Sequence, residues 1–78
     1  MSFIKRSPIG DANDAVNGIY YNTGNMVNCP SLYGILVCFS NAYTVQLFFS
    51  VIGNNSLYTR KRNDNGTWEK WNALTFAE

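Results

Sequence analysis

The chain of 78 residues contains no histidine, only two cysteines and two prolines, and little charge of either sign. The missing histidine removes the commonest general base near neutral pH and any metal site that would use imidazole. Cys29 and Cys38 are too few for a secreted disulfide scaffold and make a poor metal set. A bond between them is geometrically possible but not indicated, and they are expected as reduced, partly buried thiols acting as small hydrophobes. Six Lys and Arg stand against five Asp and Glu, a net charge of +1. That balance argues against a strong electrostatic draw to nucleic acid or an anionic membrane. No apolar run approaches the roughly 20 residues of a membrane span. The opening stretch, MSFIKRSP, lacks the apolar centre of a signal peptide, so the expectation is a protein that stays where it is made, or a fragment of a longer chain. Glycine-rich phosphate loops and nucleophile elbows are missing too. Asp64 and Glu69 flank one turn, and paired carboxylates can run glycoside hydrolysis. At a hairpin tip, however, solvated turn residues are the ordinary reading. No enzyme activity, metal or cofactor is expected.

What is present is apolar and aromatic: 46% of residues are hydrophobic and 15% aromatic, which excludes a disordered chain. The length allows one domain, and a domain this small buries only about 60–65% of its unfolded surface. Help from disulfides, metals or partner chains is therefore worth seeking.

Residues 1–17 form an irregular N-terminal arm. Asp11, Asn13 and Asp14 are cap and turn formers that permit one helical turn over Asp14–Val16. Residues 18–78 read as a β domain: a mostly β, antiparallel meander of four to five strands. The strands are Gly18–Asn22, Gly34–Ser40, Tyr43–Ile52, Leu57–Arg62 and Thr67–Leu74. Thr23–Tyr33 is a loop broken by Gly24 and Pro30, Ser40–Ala42 is a tight turn, and Gly53–Ser56 is a hairpin turn. Asp64-Asn-Gly66 is a type I′ signal, because Asn and Gly tolerate positive φ.

Alternate strand residues share a face. In the long strand Val45, Leu47, Phe49 and Val51 make one wholly apolar face, while Thr44, Gln46, Phe48, Ser50 and Ile52 make a mixed one. Gly34–Ser40 is apolar on both faces. One open sheet of this length cannot cover both faces with its own residues. The second face must meet the N-terminal arm, the Thr23–Tyr33 loop or another copy of the chain, and small size favours a homo-oligomer as a contributor.

The chemistry that remains is concentrated in "YTRKRNDNGTWEKW" at 58–71. Tyr58, Arg60 and Arg62 share one strand face. Without a bulge, Trp68 and Trp71 point opposite ways, one into the core and one outward. Two readings stand here. One is cross-strand pairing of aromatics with arginines, about 0.2–1 kcal/mol per pair. The other is a platform for a sugar or peptide, since such ligands bind aromatic faces flanked by polar groups. The candidate ligand-binding residues are Tyr58, Arg60, Arg62, Trp68 and Trp71, with Tyr43, Asn54 and Asn65 at the turns. The sequons Asn54-Asn-Ser56 and Asn65-Gly-Thr67 are plain turn sequences.

The ordered set "GIYY" (18–21), "NCPS" (28–31), "YGILVCF" (33–39), "VQLFFS" (45–50) and "LYTRKRNDNGTWEKWNAL" (57–74) resembles the pyocin knob family, small β domains in the tail fibres of phages, prophages and phage-derived bacteriocins. The matching positions are Gly18, Ile19, Tyr20, Asn28, Pro30, Gly34, Leu36, Val37, Gln46, Phe48, Tyr58, Arg60, Arg62, Trp68 and Trp71, across about residues 11–74. Ala12 stands where the family usually has leucine, and the cysteines lie outside its pattern. The resemblance implies a trimeric tail fibre of a virion or prophage-derived particle, synthesised in the bacterial cytoplasm. It implies a role in recognising a bacterial surface receptor, glycan or protein, without membrane insertion or nucleic-acid binding. It also shifts the closing hairpin towards scaffold, with Arg60 and Arg62 stacked on the tryptophans. The receptor-reading candidates then become the loops Asn22–Asn28, Ser40–Tyr43, Gly53–Ser56 and Asn63–Gly66. A trimerisation or spacer domain without a ligand is the alternative.

Overall fold

The computed structural model describes residues 5–6, 9–40, 42–52 and 57–74. Five strands, β1 (Gly18–Thr23), β2 (Tyr33–Ser40), β3 (Thr44–Ser50), β4 (Leu57–Lys61) and β5 (Asn72–Leu74), form one antiparallel sheet in the order β1-β2-β3-β4-β5. The expected meander is the observed fold. The helical turn falls two residues earlier than expected, as a 3₁₀ turn over Ala12–Asp14. Asp11, one of the expected cap formers, is its N-cap, its carboxylate accepting from the Asn13 N–H. That side chain satisfies one of the turn's otherwise orphaned donors.

The register sorts the residues onto two faces. On the inner face one row runs Tyr20, Leu36, Phe48, Tyr58, Ala73, and a second runs Gly18, Cys38, Gln46, Arg60. The arm lies on this face, contributing Ala12 and Ala15, and the β1–β2 loop adds Met26; these pack with Tyr20, Leu36, Cys38 and Phe48. Two of the three expected covers are therefore used together. The face they cover is the mixed one of β3: Thr44, Gln46 and Phe48 are buried, whereas Val45 and Phe49 are exposed. The outer face carries the rows Ile19, Val37, Leu47, Thr59, Asn72 and Tyr21, Ile35, Phe49, Leu57, Leu74.

Gly34 makes room at the centre. A Cβ there would sit 2.4 Å from the Phe49 carbonyl oxygen and 2.5 Å from the Phe48 ring. Only glycine lets that ring cross the strand at this distance.

Two local corrections follow from the register of the last hairpin. Arg62 faces Trp68 and the Glu69 N–H bonds to Lys61, but Thr59 faces Asn72. A strict ladder would have put Trp71 opposite Thr59. Lys70 and Trp71 together oppose Arg60, which is a β-bulge. It reverses the alternation between the tryptophans and turns both rings to the inner face, rather than one in and one out. The turn itself is not type I′. Gly66, at φ 87°, is the positive-φ residue in it, and the Gly66 N–H bonds to the Asn63 carbonyl. This is the three-residue loop that ends in a left-handed glycine. The turn expected over Gly53–Ser56, with Asn54, lies outside the described residues.

Candidate functional site

The expected site residues divide into a buried cluster and an open end. Arg60 anchors the cluster. It is only 7% exposed, and its guanidinium carbon lies 4.0 Å from the Trp68 ring centre and 4.5 Å from that of Trp71. Its Nε donates to Gln46 Oε1 and its Nη2 to Asn13 Oδ1, both at 2.8 Å. Gln46, fully buried, donates in turn to the Ala12 carbonyl at 2.7 Å. Burial lowers the Arg60 pKa, yet an arginine stays charged in proteins. Two aromatic faces and two neutral amides thus hold a cation with no carboxylate among its hydrogen-bond partners in the described residues. This joins the arm, the sheet centre and the closing hairpin.

Trp71 belongs to the same cluster. It meets Phe48 edge to face at 6.2 Å between ring centres, and its Nε1 donates to the Asn28 carbonyl at 2.9 Å. Asn28 sits in the left-handed region at φ 61°, and its amide donates to Asp11 Oδ1 at 2.8 Å. That bond, followed by the one from the Asn13 N–H, lowers the Asp11 pKa. Tyr58 is half-buried against the core. Arg60, Trp71 and Tyr58 therefore serve packing, and Arg60 is not accessible as the ligand-binding residue expected from the sequence. Arg62 is exposed, 5.7 Å from the Trp68 ring centre. The stacking of both arginines on tryptophan is thus present.

Asn22 is likewise no loop-tip residue. At 3% exposure its Oδ1 accepts from the N–H groups of Gly24 and Met26, and its Nδ2 donates to the Ser31 carbonyl. It shapes the β1–β2 loop from inside. Both cysteines are free thiols, Cys38 buried and Cys29 half-buried. Burial raises both pKa values, Cys29 to about 11.

The open end lies where the β2–β3 turn meets the β4–β5 hairpin. A groove of about 720 Å³ is lined there by Tyr43, Thr44, Val45, Lys61, Arg62, Asn63, Asp64 and Asn65. A smaller one of about 220 Å³ adjoins it along Ala42, Tyr43, Arg62, Asn63, Asp64 and Gly66. Tyr43 is 76% exposed. Two cations, one carboxylate, two amides and an aromatic ring thus surround an apolar strip, a size and mixture ordinary for small-ligand sites. The structure brings together Tyr43, Arg62 and Asn65 from the expected set. Sequence reasoning missed Val45 and Lys61. The signal was available, because alternate turns of a meander emerge at the same end of its sheet.

Among the described residues, no three His, Cys, Asp or Glu side chains group to hold a metal, and no helix is long and apolar enough to cross a membrane. Comparison of the chain with protein-family models, with curated proteins and with solved structures gives no match.

Proposed function

We propose that this chain is a non-enzymatic recognition domain, a knob of a trimeric phage or prophage tail fibre, which takes part in binding a bacterial surface receptor, glycan in the first place. The observation that carries the reading is the open groove beside Tyr43. A pyranose ring can lay its apolar C–H face on the tyrosine while its hydroxyls meet Asn63, Asp64 and Asn65. Lys61 and Arg62 suit acidic substituents. The resemblance of the ordered strand motifs to pyocin knobs supports the setting. The burial of Arg60 and the partial burial of Trp71 support assigning the closing hairpin to scaffold.

The test is binding of the purified chain to an array of bacterial surface polysaccharides and to intact cells. Tyr43→Ala and Asn65→Ala should each weaken binding about tenfold or more, as expected for a residue that contributes about 1.4 kcal/mol or more. Both residues are exposed, so Tyr43→Ala should leave the melting temperature unchanged, whereas Asn65→Ala also removes the bond that Asn65 Oδ1 accepts from the Thr67 N–H and should cost about 1 kcal/mol of stability. Undiminished binding by both folded variants rejects the groove.

The outer sheet face favours a second reading, a trimerisation or spacer domain without a ligand. That reading expects self-association together with no retained glycan on the array.

A further inference from the structure

The bulge that turns both tryptophans inward also shapes the outer face. There Lys61 and Thr59 of β4, two residues apart, stand opposite Glu69 and Asn72, which are three apart. The extra residue disrupts the ladder locally. A cleft of about 260 Å³ opens at this point, lined by Val45, Thr59, Arg60, Lys61, Glu69 and Asn72. Val45 and Lys61 also line the groove beside Tyr43, so the two hollows adjoin. We infer that the bulge cleft is a second sugar subsite, and that the whole site takes an acidic oligosaccharide. One ring sits at Tyr43, a further ring sits at Glu69 and Asn72, and a uronic-acid carboxylate meets Lys61 between them. The inference rests on the glycan reading of the Tyr43 groove and gives that glycan a length and a charge.

Three observations select this ligand. The first is the chemistry of the cleft. Glu69 accepts hydrogen bonds, while Thr59 and Asn72 can both donate and accept, the mixture that ring hydroxyls require. Among the described residues, the side chains of Thr59, Lys61, Glu69 and Asn72 have no hydrogen-bond or ion-pair partner, so these groups are open to a ligand. The second is distance. Asn72 stands level with Leu47 across Thr59, two strands over and four residues along from Tyr43. At about 4.8 Å per strand spacing and 3.3 Å per residue, the diagonal is about 16 Å, farther than one pyranose ring reaches. The third is charge. Lys61 is the charged residue common to both hollows, and an ammonium at the junction of two rings favours a carboxylate there. The carboxylates of Asp64 and Glu69, one in each hollow, then meet hydroxyls.

The test is a titration of the full chain, labelled with nitrogen-15 and read by its backbone amide shifts. The probes are galacturonic acid, its dimer and trimer, and the trimer reduced at its carboxylates to galactose. The galacturonate trimer is expected to bind at least about tenfold tighter than either the single sugar or the reduced trimer. It should move the amides of Thr59, Glu69 and Asn72 together with that of Tyr43. Glu69→Ala and Asn72→Ala should each weaken trimer binding about tenfold and leave binding of the single sugar within about twofold. Both residues are exposed, so the variants should keep the wild-type shift pattern elsewhere. A trimer no tighter than the single sugar overturns the inference. So do unmoved amides at Thr59, Glu69 and Asn72, equal binding of the reduced trimer, or two alanine variants that bind the trimer like wild type. The polysaccharide array judges the glycan reading separately. A chain retained on the array but indifferent to these probes sinks the second subsite alone. A chain retained by no polysaccharide and moved by no probe sinks both.

Discussion

Replacing Gln46 by leucine sets two ways of thinking about this core against each other. Leucine has about the same volume and adds apolar surface, so area reasoning alone predicts a gain of about 1–2 kcal/mol. The hydrogen-bond network predicts a loss. Without the amide, the Ala12 carbonyl loses its donor and Arg60 Nε loses its acceptor, in a site where Gln46 is 0% and Arg60 7% exposed. An orphaned buried neutral group costs about 1–3 kcal/mol and a charged one more, so the net expectation is a loss of about 3–4 kcal/mol. A chain of this length is stable by only about 4–12 kcal/mol in total. At about 4–8 °C per kcal/mol the melting temperature falls by about 12–30 °C. Arg60→Met alone strands Gln46 Oε1 and strips the contacts with both tryptophans, while removing the cost of burying a cation. The double variant removes both ends of the Arg60–Gln46 bond. It should be less destabilised than the sum of the singles by about 1–3 kcal/mol. Urea unfolding followed by tryptophan emission reads this directly, since both indoles lie against the Arg60 guanidinium. A Gln46→Leu variant as stable as wild type, or a strictly additive cycle, would refute the reasoning.

Gly34→Ala should lose about 1–3 kcal/mol or fail to fold, because its Cβ meets the Phe48 ring and a fixed carbonyl; an unchanged unfolding midpoint would mean that β2 and β3 can separate freely. Trp71→Phe keeps the ring but loses the bond to the Asn28 carbonyl, an expected cost of about 1 kcal/mol, with the β1–β2 loop showing faster amide exchange than the strands. Burial holds the Cys29 pKa at about 11 against the usual 9.0, so the folded state resists thiolate formation. The stability contributed this way is complete below about pH 9 and is lost as pH rises towards 11. Cys29→Ala should flatten that part of the stability profile, and a profile identical to wild type would contradict the assignment. Asp11, whose pKa is lowered, contributes in the opposite sense: its share is present above the normal carboxylate range and disappears as pH falls through it, so Asp11→Asn should lose the acid-side step.

The strand order and the turns were readable because period-two runs and turn formers act over a few residues, and β2 and β3 appear within two residues of their expected limits. Tyr43 and the Asp64–Gly66 hairpin could be placed at one end of the sheet on the same basis. The bulge was not readable. Nothing in "TWEKWNAL" marks one extra residue, and that residue alone decides whether Trp71 joins Arg60 or faces solvent.

Which face of β3 turns inward was also beyond the sequence. Local hydrophobicity favours Val45, Leu47 and Phe49, yet the structure buries Thr44, Gln46 and Phe48. The physical reason is distance along the chain. Gln46 is satisfied by Ala12, 34 residues away, and Arg60 by Asn13, 47 residues away. Polar groups enter a core only when such partners exist, and those partners exist only once the arm has folded back onto the sheet. By itself the sequence determined a meander of four to five strands with too much apolar surface for one sheet; tertiary structure decided which half of that surface this chain keeps for its own core and which half it leaves open.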